Sequence, residues 1–423
     1  MSAGRMPFFP CIRPDEILLP AEGVDGRKWA VIACDQYTSQ PDYWKRVRAE
    51  VGDAPSTLHM ICPEAELSSG YDRDAIREAM DLALENQTVT ARNKQGKTEK
   101  GFVLTERSTP SGVRIGLVAS LDLETYDYRP GNQPVRATEA TVEERLPPRI
   151  RIRENASLDL PHILLLMDDK EKTVLEPLTE AIWKDGRVPD YDLELMESGG
   201  HLRGWRITAE QDLNALSVSL NALAERSGGL LFAVGDGNHS LAAAKACWEK
   251  RKANGADPET DPFRYALAEI VNLHEDAIRF QPIHRLVTGI GAADLADAFR
   301  AACRDAGLSC EEGTEIRFVS DGRVTEGLTI ENRGGVLPVQ ILQPFLDAYL
   351  RAHPNGCIDY IHGDQTLVDL TAGKNAAGIL LEGMRKEELF PGIRAGGCLP
   401  RKTFSMGQAD EKRFYFESRK LRG

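Results

Sequence analysis

Apolar positions recur along this chain in two rhythms. Short unbroken runs predict buried strands, and recurrence every three to four residues predicts helices with one apolar face. KWAVIAC, residues 28–34, reads as a strand that stops at the polar Asp35-Gln-Tyr. Helices are expected over 41–51 and 71–86, the second with Ala75, Ile76, Met80, Leu82, Ala83 and Leu84 as its apolar stripe. Residues 101–107 and 112–122 are strand-like on either side of Thr109-Pro-Ser-Gly112, which predicts a hairpin. Pro147-Pro148 punctuates a polar stretch between this hairpin and a buried strand at 162–167. A strand over 205–208 precedes a helix over 209–226, and a strand over 230–234 runs into a helix over 240–253 that stops at Asn254-Gly255. Residues 263–274 fit strand or helix. Beyond them come helices over 292–306 and 337–352, strands at 316–319 and 379–381, and a terminal hairpin turning at 408–412.

These elements predict an α+β or mixed α/β fold, without the regular alternation of a barrel. The length, 423 residues, exceeds what one core usually serves. The expected division is an N-terminal α/β region, 1–285, and a C-terminal α+β region, 286–423, that completes the same site. A net charge of −13 argues against nucleic-acid binding, which needs a basic face. No apolar run has membrane-spanning length, Ile163–Met167 being among the longest. Pro7 and Pro10 interrupt any apolar signal-peptide core at the start. The eight cysteines are scattered, with no Cys-x-x-Cys pair, which argues against a zinc ribbon or a disulfide framework. A cytoplasmic protein with reduced thiols is expected, and a homo-oligomer is compatible with the sequence. Cys34 reads as an inert buried thiol, and His274-Glu275 and His362-Gly-Asp364 complete no zinc spacing.

The densest chemistry lies in LFAVGDGNHSLAAAK, residues 231–245. A buried strand that runs through a glycine turn into a helix leaves the first helical N–H groups without intrahelical partners, at the positive end of the helix dipole. Such a turn suits phosphate or carboxylate. Gly235 and Gly237 permit the turn and close approach of a ligand, and Asn238 or Ser240 can cap the helix. Asp236 repels phosphate, so its place is to hold Mg²⁺, a substrate ammonium or the His239 ring. A simple capped turn in which Asp236 and Asn238 satisfy local donors accounts for the same residues. The spacing is neither a Walker A loop nor Gly-x-Gly-x-x-Gly.

Gly235-Asp-Gly-Asn-His-Ser-Leu-Ala-Ala resembles the Asp-Gly-His-His-Arg-x-x-x-Ala signature of the bacterial and archaeal family called domain of unknown function 1015. Further similar segments follow in the family's order: Ala33-Cys-Asp-Gln-Tyr37, Gly116-Leu-Val-Ala-Ser120, Arg136-Ala-Thr-Glu-Ala-Thr141, Gln281-Pro-Ile-His-Arg-Leu-Val287 and Leu399-Pro-Arg-Lys-Thr403. Asn238 stands at the signature's first His, Ser240 at its Arg, and Thr138 at the His before Glu139, so a divergent subgroup is expected. More distantly, the strand, glycine turn and Ala-bearing helix resemble the nucleotide-phosphate box of the ParB/sulfiredoxin superfamily. Its members include sulfiredoxin, nucleotide-hydrolysing partition proteins and a free-serine kinase. That resemblance implies a ParB/sulfiredoxin-like core elaborated with further sheet and helices. Sulfiredoxin chemistry needs a cysteine in the box, and there is none.

What the resemblance implies is a small-molecule kinase. It would transfer a phosphoryl group from ATP or ADP, with Mg²⁺, to a small hydroxylated metabolite, an amino acid being one candidate. Gly235, Gly237, Asn238 and Ser240 would hold phosphate. Asp236 or Glu139 would hold Mg²⁺, and His239 would orient substrate or phosphate. His284 and Arg285, with Lys402, would supply binding and neutralising charge, Arg136 being a further source. Asp35 or Glu139 would take the hydroxyl proton. A non-catalytic nucleotide sensor that signals to a protein partner, and a phosphohydrolase for a phosphorylated metabolite, are the alternatives.

Overall fold

The protein, described here as a computed structural model, is seen over residues 7–38, 40–67, 70–93 and 95–422. Its fold is mixed α/β, with parallel and antiparallel pairing in one sheet. The chain divides into two compact units. The first comprises residues 1–137, 141–278 and 407–423, and the second residues 138–140 and 279–406. The sequence suggested a single division after residue 285. Instead, residues 279–285 belong to the second unit and the last seventeen return to the first.

The first unit is built on a ten-stranded sheet. Its strands are β1 (Ile12–Arg13), β2 (Phe102–Thr109), β3 (Gly112–Asp122), β4 (Tyr126–Asp127), β5 (Val135–Ala137), β6 (Leu164–Met167), β7 (Tyr191–Glu194), β8 (His201–Ile207), β9 (Phe232–Asp236) and β10 (Tyr265–Asn272). They lie in the order β7-β8-β2-β3-β10-β6-β9-β5-β4, with β1 on β3. The β2–β3 hairpin is present as predicted, and within the undecided 263–274 segment residues Tyr265–Asn272 form a strand buried at every position. β6 runs parallel to β10 and antiparallel to β9, which sets the end of β9 beside the segment leading into β6.

Six longer helices accompany this sheet: α1 (Pro41–Val51), α2 (Arg73–Glu85), α3 (Leu146–Arg153), α4 (Leu175–Lys184), α5 (Glu210–Arg226) and α6 (Asn238–Ala253). The Asp72 carboxylate caps α2 by accepting the N–H of Asp74 and Ala75 at 2.9 and 3.1 Å. Ile76, Met80 and Ala83 are buried as the stripe predicts, but Leu82 is exposed, so the buried face is narrower than expected. The proline pair that read as punctuation lies in the first turn of α3, where missing N–H groups cost nothing.

Two expectations fail here. Residues 28–34 do not form one strand. Asp25 caps a single helical turn, Gly26–Trp29, and only Val31–Ile32 is extended. The apolar run is buried, but burial alone does not choose between helix and strand. The terminal hairpin also fails. Phe414–Tyr415 pairs with Val31–Ile32, and Arg419–Lys420 pairs with Leu158–Asp159. The tail is instead held by buried charge. Arg413 lies 2.6 Å from Glu269 and 2.5 Å from Glu417, and Arg419 lies 3.2 Å from Asp159. Trp29, fully buried, donates its indole N–H to the Phe416 carbonyl at 2.9 Å.

The second unit has a six-stranded sheet. It is formed by β11 (Phe280–Thr288), β12 (Ser309–Ser320), β13 (Arg323–Glu331), β14 (Cys357–His362), β15 (Ala376–Leu381) and β16 (Phe404–Met406). The order is β13-β12-β15-β11-β14, with β16 also on β11. Its helices are α7 (Ala292–Asp305), α8 (Pro338–Ala352), α9 (Asp364–Thr371) and α10 (Lys386–Gly396). Among the described residues no helix is long and apolar enough to cross a membrane.

Candidate functional site

The β9–α6 junction forms as the sequence suggests, with one change in its capping. Gly237 occupies the N-cap position at φ +78°, a left-handed conformation that a side chain would strain. A Cβ there would also come within 3.0 Å of the Ile163 Cα. Among the described residues no side chain caps the helix, neither Asn238 nor Ser240 doing so. The Gly237 N–H is taken by the Asp236 Oδ1 at 2.9 Å, and the first helical bond runs from the Leu241 N–H to the Gly237 carbonyl at 3.0 Å. Among the described residues no acceptor reaches the N–H groups of Asn238, His239 or Ser240. The Asn238 Oδ1 is buried without a hydrogen-bond partner there. An orphaned buried acceptor costs about 1–3 kcal/mol until a donor arrives.

Ser240 faces another way. Its hydroxyl lies 2.8 Å from the His162 Nε2, and the His162 Nδ1 lies 2.7 Å from the Tyr415 hydroxyl. The Tyr415 oxygen also accepts the Cys34 N–H at 3.2 Å. His162 therefore joins the start of α6, the segment before β6 and the C-terminal tail. Tyr415 and His162 are buried. Cys34 is an inert thiol, its pKa pushed up to about 12 by burial and by the neighbouring Asp35.

Asp35 and Asp236 form an acid pair with opposite behaviour. Burial, then the charge of Asp236, raises Asp35 above the ordinary carboxylate range, although His162, Gln36 and Lys412 pull it down. Burial also pushes Asp236 upward, but the Lys412 ammonium, 3.1 Å from its Oδ2, outweighs that penalty. With His162 and the Gly237 N–H adding to it, the Asp236 pKa falls below the usual range. Two carboxylates whose environments push them apart are suited to different tasks.

His239 does not join this pair. Its Nε2 accepts the Val142 N–H at 3.4 Å. Burial, then Arg149 and Arg145, depresses its pKa and favours the neutral ring, which is bonded to the segment before α3. The donor set does not fit a resident Mg²⁺ either. The two Asp236 oxygens are engaged by the Gly237 N–H and by Lys412. Among the described residues no three His, Cys, Asp or Glu side chains converge as a metal set.

The remaining candidates lie in the second unit. Glu139 pairs with Leu399 in an isolated parallel bridge. His284 is committed through both nitrogens, its Nε2 to Asp364 at 2.9 Å and its Nδ1 to the Leu381 N–H at 3.2 Å. Arg285 is fully enclosed. It donates to the Gln343 Oε1 at 3.0 Å and to the Ile283 carbonyl, with its guanidinium over the Tyr360 ring. The closely matching His-Arg segment is thus held inside its own unit. Lys402 is exposed, at φ +59°. In the first unit, the Arg136 Nε donates to the Gln133 carbonyl at 2.9 Å. His162, Lys412 and Tyr415 carry no local sequence signal of a site and are brought to it by the fold.

Beside the cradle lies a cavity of about 130 Å³ within the first unit. Ser240, Ala243, His162 and Tyr415 contribute to its lining, whereas Asp236 and His239 do not.

The fold and the junction define a mixed α/β protein whose sheet delivers an uncapped helix start beside an acid pair and a lysine. The chain belongs to the family described as Protein of unknown function (DUF1015), whose model matches residues 12–349. None of the curated proteins matches the chain. Among solved structures, it is similar to a free serine kinase (E30A mutant) in complex with AMP, at 12% identity and a TM-score of 0.38, covering 72% of this chain and 92% of that one. A conserved hypothetical protein from Pyrococcus furiosus is similar at 12% identity and a TM-score of 0.34, covering 72% and 95%. SbnI with C-terminal truncation from Staphylococcus aureus is similar at 9% identity and a TM-score of 0.35, covering 69% and 82%.

Proposed function

We propose that the start of α6 binds the phosphates of a nucleotide and that the protein transfers a phosphoryl group from it to a small hydroxylated metabolite. The observation that carries this reading is the row of open N–H groups at Asn238, His239 and Ser240 behind the left-handed Gly237. A helix start with unmade hydrogen bonds and a positive dipole end favours anionic oxygens. Lys412 supplies positive charge, held against Asp236, and takes the place given from sequence to Mg²⁺, Arg285 or Lys402. The ParB/sulfiredoxin-like phosphate box suggested by resemblance is part of the same proposal.

Phosphoryl transfer needs positioning and charge neutralisation more than covalent help from the protein. Asp35, its pKa raised by burial and by Asp236, is the stronger base of the two, and its carboxylate takes the acceptor hydroxyl's proton. Asp236 stays ionised and fixes both Lys412 and the turn. His162 orients the Ser240 hydroxyl at the mouth of the cradle.

The test incubates the full chain with ATP or ADP and a pool of small alcohols and hydroxylated amino acids, and looks for a phosphorylated product by mass spectrometry. Asp35→Asn is expected to lower turnover by about 10²-fold or more while nucleotide affinity changes little. Nucleotide binding without any product would favour the sensor reading. Absence of both binding and product would end the proposal.

A further inference from the structure

The cavity beside the cradle says what kind of acceptor fits. Ser240 and Ala243 lie three residues apart on one face of α6 and line one side of it. Much of the remaining lining is hydrocarbon and thioether: Met60, Ile61, Leu67, Met80, Ile152 and Ile163. The uncharged polar groups gather in the linked set of Ser240, His162 and Tyr415.

The charged side chains on the lining are already matched. Arg149 lies 2.9 Å from Glu64, and Arg153 lies 2.5 Å from Asp159. Neither pair leaves a surplus charge for an incoming ammonium or carboxylate. An amino acid would have to bring both charges against this mainly apolar lining with no unpaired partner for either, which is unfavourable. A neutral molecule with one hydroxyl meets no such penalty. The enclosed part is small, about 130 Å³, and the pocket opens to solvent, so it takes an apolar body near the size of a benzene ring, for which a cavity of roughly 150 Å³ suffices.

We infer that this cavity is the acceptor pocket and that it selects a small, largely apolar alcohol, about the size of benzyl alcohol, with its hydroxyl at Ser240 and His162. The inference rests on the phosphoryl-transfer reading for the acceptor role, but not for the ligand class. In the reaction the alcohol oxygen bonds to the terminal phosphorus of ATP as the bridging P–O bond breaks. ADP leaves with that electron pair, and the alcohol proton goes to Asp35, the neighbour of the cavity-lining Cys34.

Titration of benzyl alcohol onto the full chain without nucleotide, followed by saturation-transfer NMR, tests the ligand class. Saturable binding is expected, with no displacement by serine. Ala243→Phe fills the cavity and should weaken binding by about tenfold or more. Because a bulky residue at this buried helix position can prevent folding, Met80→Ala provides an independent arm. It enlarges the space and should shift the preference from benzyl alcohol toward naphthylmethanol by about tenfold. Absence of saturable binding, displacement by serine, or an unchanged preference in Met80→Ala would overturn the ligand class. Alcohol binding without ATP-dependent phosphorylation would overturn the acceptor role alone. Phosphorylation of serine but not of the alcohol would overturn the pocket assignment while leaving phosphoryl transfer standing.

Discussion

Asp35 and Asp236 are chemically identical side chains in the same unit, and their surroundings give them opposite protonation preferences. Lys412 makes the difference, because it touches Asp236 directly. Lys412→Ala should therefore weaken nucleotide binding by about tenfold or more, a loss of about 1.4 kcal/mol for each factor of ten, read by calorimetry. Affinity unchanged in that variant would remove Lys412 from the site. Glu275 offers a separate reading of burial. Its carboxylate accepts the Ile115 N–H with both oxygens, at 3.1 and 2.9 Å, and burial lifts its pKa to about 8. A carboxyl raised in the folded state contributes stability below its unfolded pKa and loses it as pH rises through the folded one. Stability should then fall between pH 4.5 and about 8, by at most about 1.4 kcal/mol per pH unit. Urea unfolding across that range should show a slope that Glu275→Gln flattens, and equal slopes would contradict the assignment.

Asp35, Asp236 and Ser240 were legible because residues where strands end and helices begin commonly carry sites. His162, Lys412 and Tyr415 were not legible, because their importance comes from long-range pairing. His162 precedes β6, and the other two belong to a tail that returns to pair with Val31–Ile32. Nothing in the local pattern around EKRFYF announces that partner. Arg285 shows the reverse: its neighbourhood matches the family closely, yet full burial commits it to Gln343 and Tyr360.

At the scale of elements, the β9–α6 junction depends on Gly237. Gly237→Ala places a Cβ at φ +78° and 3.0 Å from Ile163. It should cost about 1–2 kcal/mol from backbone strain, with crowding in addition, and should displace the open N–H groups. A lowered melting temperature together with weakened nucleotide binding is the expected pair of results, whereas a variant as stable as the parent would show that the turn tolerates side chains. Periodicity located α2, α5, α7 and α8 to within a few residues, because each carries an apolar face with helical spacing, whereas α6, buried almost continuously from Leu241 to Trp248, was legible from the glycine turn before it and its alanine run. It failed for residues 28–34, where an apolar run is buried as a helical turn followed by a two-residue strand. It also missed α3, where two prolines read as a break but sit at a helix start.

At the scale of the whole molecule, length predicted more than one unit, but composition could not show where the chain crosses between them. The C-terminal tail is the clearest case, since residues 408–412 read as the turn of a self-contained hairpin. The buried pairs of Arg413 with Glu269 and Glu417 show what it satisfies instead. The net charge of −13 argued against a nucleic-acid face, and it leaves room for the single anion site proposed at the start of α6. That site is tested most directly by amide chemical shifts of the ¹⁵N-labelled full chain during titration with ATP. The resonances of Asn238, His239 and Ser240 should move downfield together and saturate, as phosphate oxygens take up their hydrogen bonds. If those three amides stay in place while ATP binds elsewhere, or if no amide responds, the anion cradle at the start of α6 is wrong.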